Sequence, residues 1–140
     1  MKILLAVDGS RHTRRMLSYV IDHDELFTVR NEFTALTVLP PFPPRVRQAA
    51  GRTMVDDYYA DEAHKVLDPL REQLQRSNIA AQAEWRVGPA GATIARVALT
   101  GRFGLVMMGS HGHGALKNLV LGSVATQVLA QCTVPVLIVR

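Results

Sequence analysis

The chain has 140 residues, 48% of them hydrophobic and 20% charged, which is the size and composition of one folded domain spanning residues 1–140. This composition excludes disorder along the whole chain, and no apolar run approaches the roughly 20 residues needed to span a bilayer. The net charge of +4 permits an anionic partner, but the basic residues are spread from Lys2 to Arg140 rather than clustered, which argues against nucleic-acid binding.

The beginning of the chain and its cysteine content favour a soluble cytoplasmic protein without a membrane partner. The apolar run at residues 3–7 is followed at once by Asp8, so it is too short for a secretory signal and predicts a strand. The single cysteine, Cys132, excludes an intrachain disulfide. Its apolar neighbours predict a core thiol rather than a nucleophile.

Strands and helices are predicted to alternate from the first residues onward. The buried strand at residues 3–7 is followed by an amphipathic helix from Thr13, with Ser10 as its N-cap. Residues 33–39 predict a second strand. The prolines at residues 40–44 then predict a segment without regular structure, because proline lacks the N–H group and restricts the residue before it.

The middle of the chain continues this alternation. Residues 55–76 have the apolar spacing of a long helix, in which Pro69 should introduce a kink or a break. Apolar and polar residues alternate at positions 82–87, which predicts a strand near the edge of a sheet. A helix over residues 90–98 and a short buried strand at residues 105–108 follow.

The chain closes with one more helix and one more strand. A helix over residues 123–131 is predicted to turn Val124, Val128 and Leu129 inward, and residues 134–139 form the last strand. The resulting β-α-β-α-β-α-β-α-β order predicts an α/β fold. Its sheet should be parallel, with right-handed crossovers and helices on both faces.

Two strand ends carry residues that suit a ligand. Open parallel sheets bind ligands beyond the carboxyl ends of their strands, where the strand order reverses. Asp8 follows the first strand, and the glycine-rich segment 109–123 follows the fourth. Its glycines allow backbone N–H groups to approach an anion, and Gly122 and Ser123 open a helix whose N-terminus favours a phosphate. The alternative is a plain turn between a strand and a helix.

The spacing of these glycines resembles a known nucleotide-binding pattern. Gly109-x2-Gly112-x9-Gly122-Ser123 is similar to the pattern of universal stress proteins. This pattern is longer than a lone motif of three closely spaced glycines such as Gly-x-Gly-x-x-Gly. The opening segment 3–10 and the closing segment 134–140 also resemble those of the family, so the likeness spans essentially the whole chain.

The resemblance implies an open five-stranded parallel sheet of order 3-2-1-4-5, the adenine nucleotide alpha hydrolase-like fold. The first and fourth strands would then be neighbours on either side of one crevice. It also implies a homodimer joined through the last strand. An apolar edge strand favours such pairing independently, because its outer N–H and C=O groups lack partners.

The resemblance further implies a bound adenine nucleotide, ATP or else ADP or AMP, with Mg²⁺ or Mn²⁺ on its phosphates. The residues that match the contacts of nucleotide-binding members fall into three groups. Adenine would be held by Ala6, Asp8 and Val38, the ribose and phosphates by Gly109 and Gly112, and the phosphates by Gly122, Ser123 and Val124.

The chain departs from the family pattern at two places. Gly104 stands where members often have an aspartate before the fourth strand, and His113 stands where they often have an arginine in the loop. The phosphate site should therefore be less positive above the usual histidine pKa, unless Lys117 turns inward. His111 and His113 are a weak candidate for a metal pair, because no third ligand is visible in the sequence.

Several charged residues also have simpler roles available. Asp8 has the type and position of a turn-former or N-cap, besides its implied contact with adenine. Arg45, Arg47 and Arg52 follow the prolines, and they favour either a solvated connector or a basic lid over phosphates.

No catalytic residue can be assigned. The chain has no Gly-x-Gly-x-x-Gly after the first strand, no Walker loop and no Gly-x-Ser-x-Gly elbow. We therefore expect a nucleotide-binding regulatory module of the stress response, acting on an unidentified protein partner, rather than a dedicated enzyme. A nucleotide-free dimeric scaffold and a slow ATPase are the alternatives.

Overall fold

Strands and helices alternate through the parts of the chain that the computed structural model describes, residues 1–27, 30–114 and 118–140. Their bounds are β1 (Lys2–Ala6), α1 (Arg11–Asp22), β2 (Glu32–Leu39), α2 (Pro44–Ala50), α3 (Arg52–Arg76), β3 (Ala81–Val87), α4 (Ala90–Thr100), β4 (Leu105–Gly109), α5 (Ser123–Gln131) and β5 (Val136–Val139). No helix in these parts of the chain is both long and apolar enough to cross a membrane.

The five strands form one parallel sheet of order β3-β2-β1-β4-β5. This order confirms the predicted 3-2-1-4-5 sheet, and β3 and β5 are its edges. In the centre, Leu5 of β1 lies between Ala35 of β2 and Met107 of β4. The strand order reverses between β1 and β4, so their carboxyl ends open side by side.

The core lies on both faces of β1, which explains why its apolar run is continuous. Ile3 and Leu5 belong to a cluster with residues of α1 and α3, whereas Leu4 and Ala6 belong to a cluster with residues of α4 and α5. Successive strand residues point to opposite faces, so a strand covered by helices on both sides favours a continuous apolar run, as at residues 3–6.

The prediction that residues 40–44 lack regular structure is wrong at Pro44, and of the kink or break predicted at Pro69 the break is excluded. The segment after the first prolines is not irregular throughout, because α2 begins at Pro44, where a missing N–H costs nothing and the fixed φ angle suits a first helical turn. Pro69 does not divide the long helix, since α3 runs from Arg52 to Arg76 through it. Gly51, with φ of 81°, separates α2 from α3.

The prediction that Leu129 turns inward is also wrong. Leu129 is 46% exposed, whereas Ala125 and Val128 of the same helix are buried and Val124 is half-buried. The helix α5 has only nine residues and rests on the sheet along one narrow stripe. Leu129 follows Val128 directly, about 100° further around the helix axis, and so leaves that stripe.

Gly91 shows how closely α4 and α5 pack. A Cβ atom at this position would collide with the Cβ and Oε1 atoms of Gln127 in α5. We expect Gly91→Val to lower the free energy of unfolding by about 1–3 kcal/mol, because the helices must move apart. Gly104→Val is the matched control, since there the new side chain meets mainly the flexible side chain of Met1. Urea denaturation that gives both variants the same midpoint would contradict this account.

Candidate functional site

A cavity of about 350 Å³ opens at the carboxyl ends of β1 and β4. All eight residues that the sequence singled out line it: Ala6, Asp8, Val38, Gly109, Gly112, Gly122, Ser123 and Val124. We call this cavity the crevice. It is positioned by the reversal of strand order, because the helices that follow β1 and β4 leave toward opposite faces of the sheet.

One wall of the crevice is apolar. It continues the second core cluster, to which Ala6, Val38, Leu36, Ile94 and Met108 all belong. Sequence reasoning did not name Leu36, Ile94 and Met108 as site residues. The sequence does not distinguish them as site residues, because each also has the pattern of an ordinary core position in a strand or on a helix face.

The carboxylate of Asp8 stands at the polar side of the crevice. Its Oδ1 atom accepts hydrogen bonds from the backbone N–H of Ser10 at 2.9 Å and from Thr13 Oγ1 at 2.8 Å. Asp8 therefore does form the turn into α1. Its Oδ2 atom faces Gly112, where a Cβ atom would stand only 2.7 Å from it. Glycine at 112 lets the loop pass directly over the carboxylate.

The other two glycines of the motif are fixed by similarly close packing. A Cβ atom on Gly109 would lie 2.6 Å from the Cβ of His12 in α1. At Gly122 the backbone N–H donates to the carbonyl of Ser110 at 2.7 Å, which ties the two ends of the loop together. There a Cβ atom would lie 3.1 Å from His111 Cα. The glycine spacing thus follows from how the loop closes.

The loop delivers the N-terminus of α5 to the crevice. Gly122 caps this helix without a side-chain hydrogen bond, and Ser123, Val124 and Ala125 all line the cavity. The first N–H groups of a helix have no acceptor within it, and the helix dipole makes this end positive. The arrangement suits an anion such as a phosphate.

The two loop histidines hold the loop in place. His113 Nε2 donates to the carbonyl of Asp8 at 2.7 Å and so spans the crevice. His111 Nε2 donates to the carbonyl of Leu119 at 2.8 Å, and its Nδ1 lies 3.0 Å from Ser110 Oγ. Within the described residues no group of three side chains suited to hold a metal ion occurs.

No lysine or arginine lines the crevice among the described residues. Arg47 and Arg52 line a separate groove beside β3, so they do not form a lid over the crevice, and Arg45 lines neither. Lys117 lies outside the described residues. Gly104 precedes β4 at its amino end, so the missing family aspartate is at the opposite end of the sheet from the crevice.

Comparison with known proteins assigns the family. The model of the Universal stress protein family matches residues 1–140. The chain belongs to the universal stress protein family. It is 26% identical to universal stress protein YxiE of Bacillus subtilis, covering 99% of this chain and 98% of that protein. It is 27% identical to universal stress protein Slr1230 of Synechocystis, covering 99% of this chain but only 42% of that protein.

Solved universal stress protein structures share the fold. The protein UspA from Lactobacillus plantarum superposes with a TM-score of 0.78 at 19% identity, covering 100% of this chain and 97% of that one. Three further structures contain nucleotides. One is a complex with cAMP (TM-score 0.73, 18% identity, coverage 100% and 97%). An Arabidopsis thaliana protein has AMP bound (TM-score 0.69, 13% identity, coverage 99% of this chain and 90% of that one). An Archaeoglobus fulgidus protein is in complex with dAMP (TM-score 0.68, 19% identity, coverage 100% of this chain and 98% of that one).

No sequence pattern indicates a role for His12, which contacts the crevice loop of this universal stress protein at Gly109 and His111. The side chain is only 6% exposed, and its ring centroid lies 5.2 Å from that of His111. Its Nε2 is 3.4 Å from Arg11 Nε, whereas its Nδ1 is buried without a hydrogen-bond partner among the described residues. Burial, and then the positive charges of Arg11, His111 and Arg15, lower the pKa of His12 below its usual 6.5, against the opposing effect of Asp8.

We expect this histidine to make the protein less stable in acid. The unfolded chain takes up a proton near pH 6.5, whereas folded His12 resists it, so its contribution is complete above that pH and is lost as the pH falls below it. Urea midpoints at pH 7.5 and 5.5 should fall less in His12→Gln than in the wild type. The control is His64→Gln, which removes an exposed histidine. An unchanged pH dependence in His12→Gln would contradict this role.

Proposed function

We propose that the crevice binds an adenine nucleotide, with ATP as the preferred ligand and ADP or AMP as the alternatives. In this proposal the protein is a regulatory module of the stress response, in which the bound nucleotide alters a partner protein or the dimer. The observation that carries the proposal is that one cavity combines an apolar wall with a glycine-rich loop and a helix N-terminus. A nucleotide needs an apolar slot for its base and donors for its phosphates.

The base would occupy the apolar side of the crevice. Ala6, Val38 and Met108 offer flat hydrophobic contact, and the backbone of Val38 would contact the edge of the ring. Asp8 Oδ2 is the carboxylate oxygen that neither Ser10 nor Thr13 occupies, so it would accept from an amino or hydroxyl group of the nucleoside.

The phosphates would lie along the loop toward α5. Gly109 and Gly112 would allow the ribose and phosphates to approach the backbone, and the N–H groups of Gly122, Ser123 and Val124 would donate to phosphate oxygens. The Ser123 hydroxyl is exposed at the same end and would add a donor. His113, which stands where family members often have an arginine, reaches across the crevice through its hydrogen bond to the carbonyl of Asp8.

A divalent ion, Mg²⁺ or Mn²⁺, would be held mainly by the phosphates. Among the described lining residues Asp8 is the only carboxylate, and its Oδ1 atom already accepts from Ser10 and Thr13. Ions of this kind are commonly bound through substrate phosphates with few protein ligands. The ion would therefore arrive with the nucleotide.

The nucleotides in three structural neighbours support this class of ligand. Those proteins contain cAMP, AMP and dAMP, all of which combine adenine with a single phosphate. We extend the class to ATP because the loop places further backbone donors at the start of α5. The helix N-terminus that the closed loop presents beside the apolar wall favours binding over a nucleotide-free scaffold.

A slow ATPase is the second candidate activity. No described residue in the crevice stands out as a general base beside a nucleophile, and the Asp8 carboxylate is held in its turn. Turnover of ATP that responds to substitution of Gly122 or Ser123 would favour this candidate.

We expect calorimetry to detect ATP binding in the presence of Mg²⁺. Gly122→Val should weaken it by about tenfold or more, because the side chain crowds His111 and the helix N–H groups lose their approach to phosphate. Ser123→Ala, which adds no bulk, should weaken it less. Gly104→Val is the control for a changed glycine far from the crevice.

The outcome that rejects the nucleotide proposal is absence of heat for ATP, ADP and AMP at millimolar concentrations in the wild type. If Gly122→Val and Gly104→Val bind ATP with equal affinity, the assigned position of the phosphates is rejected. Urea unfolding of each variant distinguishes a damaged site from a damaged fold.

We also propose that the protein forms a homodimer through β5. All four residues of this edge strand are apolar and each is only half-buried. The carbonyls of Pro135 and Val139 accept from Val106 and Ser110 on the β4 side. Backbone groups alternate in direction along a strand, so those of Val136 and Ile138 point outward, available to a second copy.

Light scattering should give about twice the chain mass of 15.4 kDa at tens of micromolar. Ile138→Pro should give a monomer, because it removes an outward N–H without touching the hydrogen bonds to β4. Fluorescence of Trp85 and retained ATP binding would verify that the variant is folded. A wild-type chain that elutes as a monomer, or a dimer that Ile138→Pro leaves intact, would rule out pairing through this edge.

A further inference from the structure

A second concave site lies beside β3, apart from the crevice. It is a groove of about 580 Å³ between α2, the first turns of α3 and the carboxyl end of β3. We call it the β3 groove. Trp85, on its floor, packs against the first core cluster, whereas the apolar wall of the crevice belongs to the second. The two sites are therefore on opposite faces of the sheet and share no described lining residue.

The floor of the β3 groove is apolar and aromatic. Val55 and Tyr59 of α3 are buried, and Trp85 and Val87 of β3 are half-buried, so the indole and the valine keep part of their surface open to the groove. A half-open tryptophan next to aliphatic side chains is the kind of surface on which a planar ring packs.

The rim of the β3 groove is positive. Arg47 of α2 and Arg52 of α3 both line it, and none of the ion pairs in the described part of the chain involves either residue. Asp56 is the only acidic residue among the lining residues, so two cations face one anion. A guanidinium presents a planar fork of donors that matches carboxylate, sulfonate and phosphate oxygens.

The walls of the β3 groove are held in place by contacts on its outer side. Tyr59 Oη accepts from the backbone N–H of Phe42 at 2.7 Å, and the Phe42 ring lies 5.3 Å from that of Tyr59 and 4.9 Å from that of Tyr58. Gly51 turns the chain from α2 into α3, and its N–H donates to the carbonyl of Arg47 at 3.2 Å. The two arginines are thereby carried by elements fixed to each other.

We propose that the β3 groove binds a small aromatic molecule with one anionic head group. The rings would pack on Trp85 and Val87, and the head group would be bound by Arg47 and Arg52. This site is independent of the proposed nucleotide binding. It would give the protein a second ligand on the opposite face of its sheet.

Trp85 makes the proposal testable because it is the only tryptophan in the chain. The probe is 8-anilinonaphthalene-1-sulfonate, an aromatic sulfonate that accepts energy from tryptophan. N-phenyl-1-naphthylamine is the matched probe, with the same rings and no charge. We expect the sulfonate to bind the native protein at pH 7.5 with energy transfer from Trp85, and Trp85→Phe to abolish the transfer.

Arg47 and Arg52 should contribute to the affinity for the charged probe and not to the affinity for the uncharged one. Arg47→Gln and Arg52→Gln should each weaken sulfonate binding by about tenfold and leave the uncharged probe unchanged. Arg45→Gln is the matched control, because Arg45 is in the same helix but does not line the β3 groove. Saturating ATP should not displace the probe.

Three results would overturn the proposal. One is sulfonate binding that the two glutamine variants leave at the wild-type affinity. Another is displacement of the probe by ATP, or its loss in Gly122→Val, since either would put the probe in the crevice. The third is an absence of energy transfer from Trp85 in the folded wild-type protein.

Discussion

The burial of β1 on both faces is the constraint on which the rest of the molecule depends. Because helices cover both sides of this strand, the residues from Ile3 to Val7 are all apolar and buried, and the next polar group along the chain stands just past the end of the strand. That group is Asp8. With β2 on one side and β4 on the other, the end of β1 also marks the reversal of strand order. The same packing that forms the core thus opens a gap and puts a carboxylate in it.

The crevice loop illustrates how function and packing share the same residues. Gly109 passes α1 at a distance that excludes a Cβ atom, Gly112 passes over Asp8, and Gly122 joins the loop to α5. A glycine pattern of this kind would be needed to close the loop even without a ligand. It does not by itself demonstrate binding, and the additional argument comes from what the closed loop presents, namely a helix N-terminus next to an apolar wall.

Much of this arrangement was predictable from the sequence, for reasons that differ between elements. Alternation of polar and apolar residues indicated that β3 is an edge, and Ser10 was recognised as a helix cap because its hydroxyl has the required position before Thr13. The strand order came from resemblance, since periodicity carries no information about neighbours in a sheet. The prolines at residues 40–44 predict a break in regular structure and so conceal α2, although Pro44 fits a first helical turn. His12 and the β3 groove depend on contacts between distant segments, which no local pattern reports.

The described lining of the crevice has one further physical consequence. It contains no lysine or arginine, so the positive potential that it supplies comes from N–H groups at the start of α5. Backbone donors are fixed by the fold and lose no side-chain entropy when an anion binds. They also recognise a phosphate oxygen without regard to how many phosphates follow it. Discrimination between mono- and triphosphates would then rest on the space beyond Ser123 and on a metal ion carried by the longer chain.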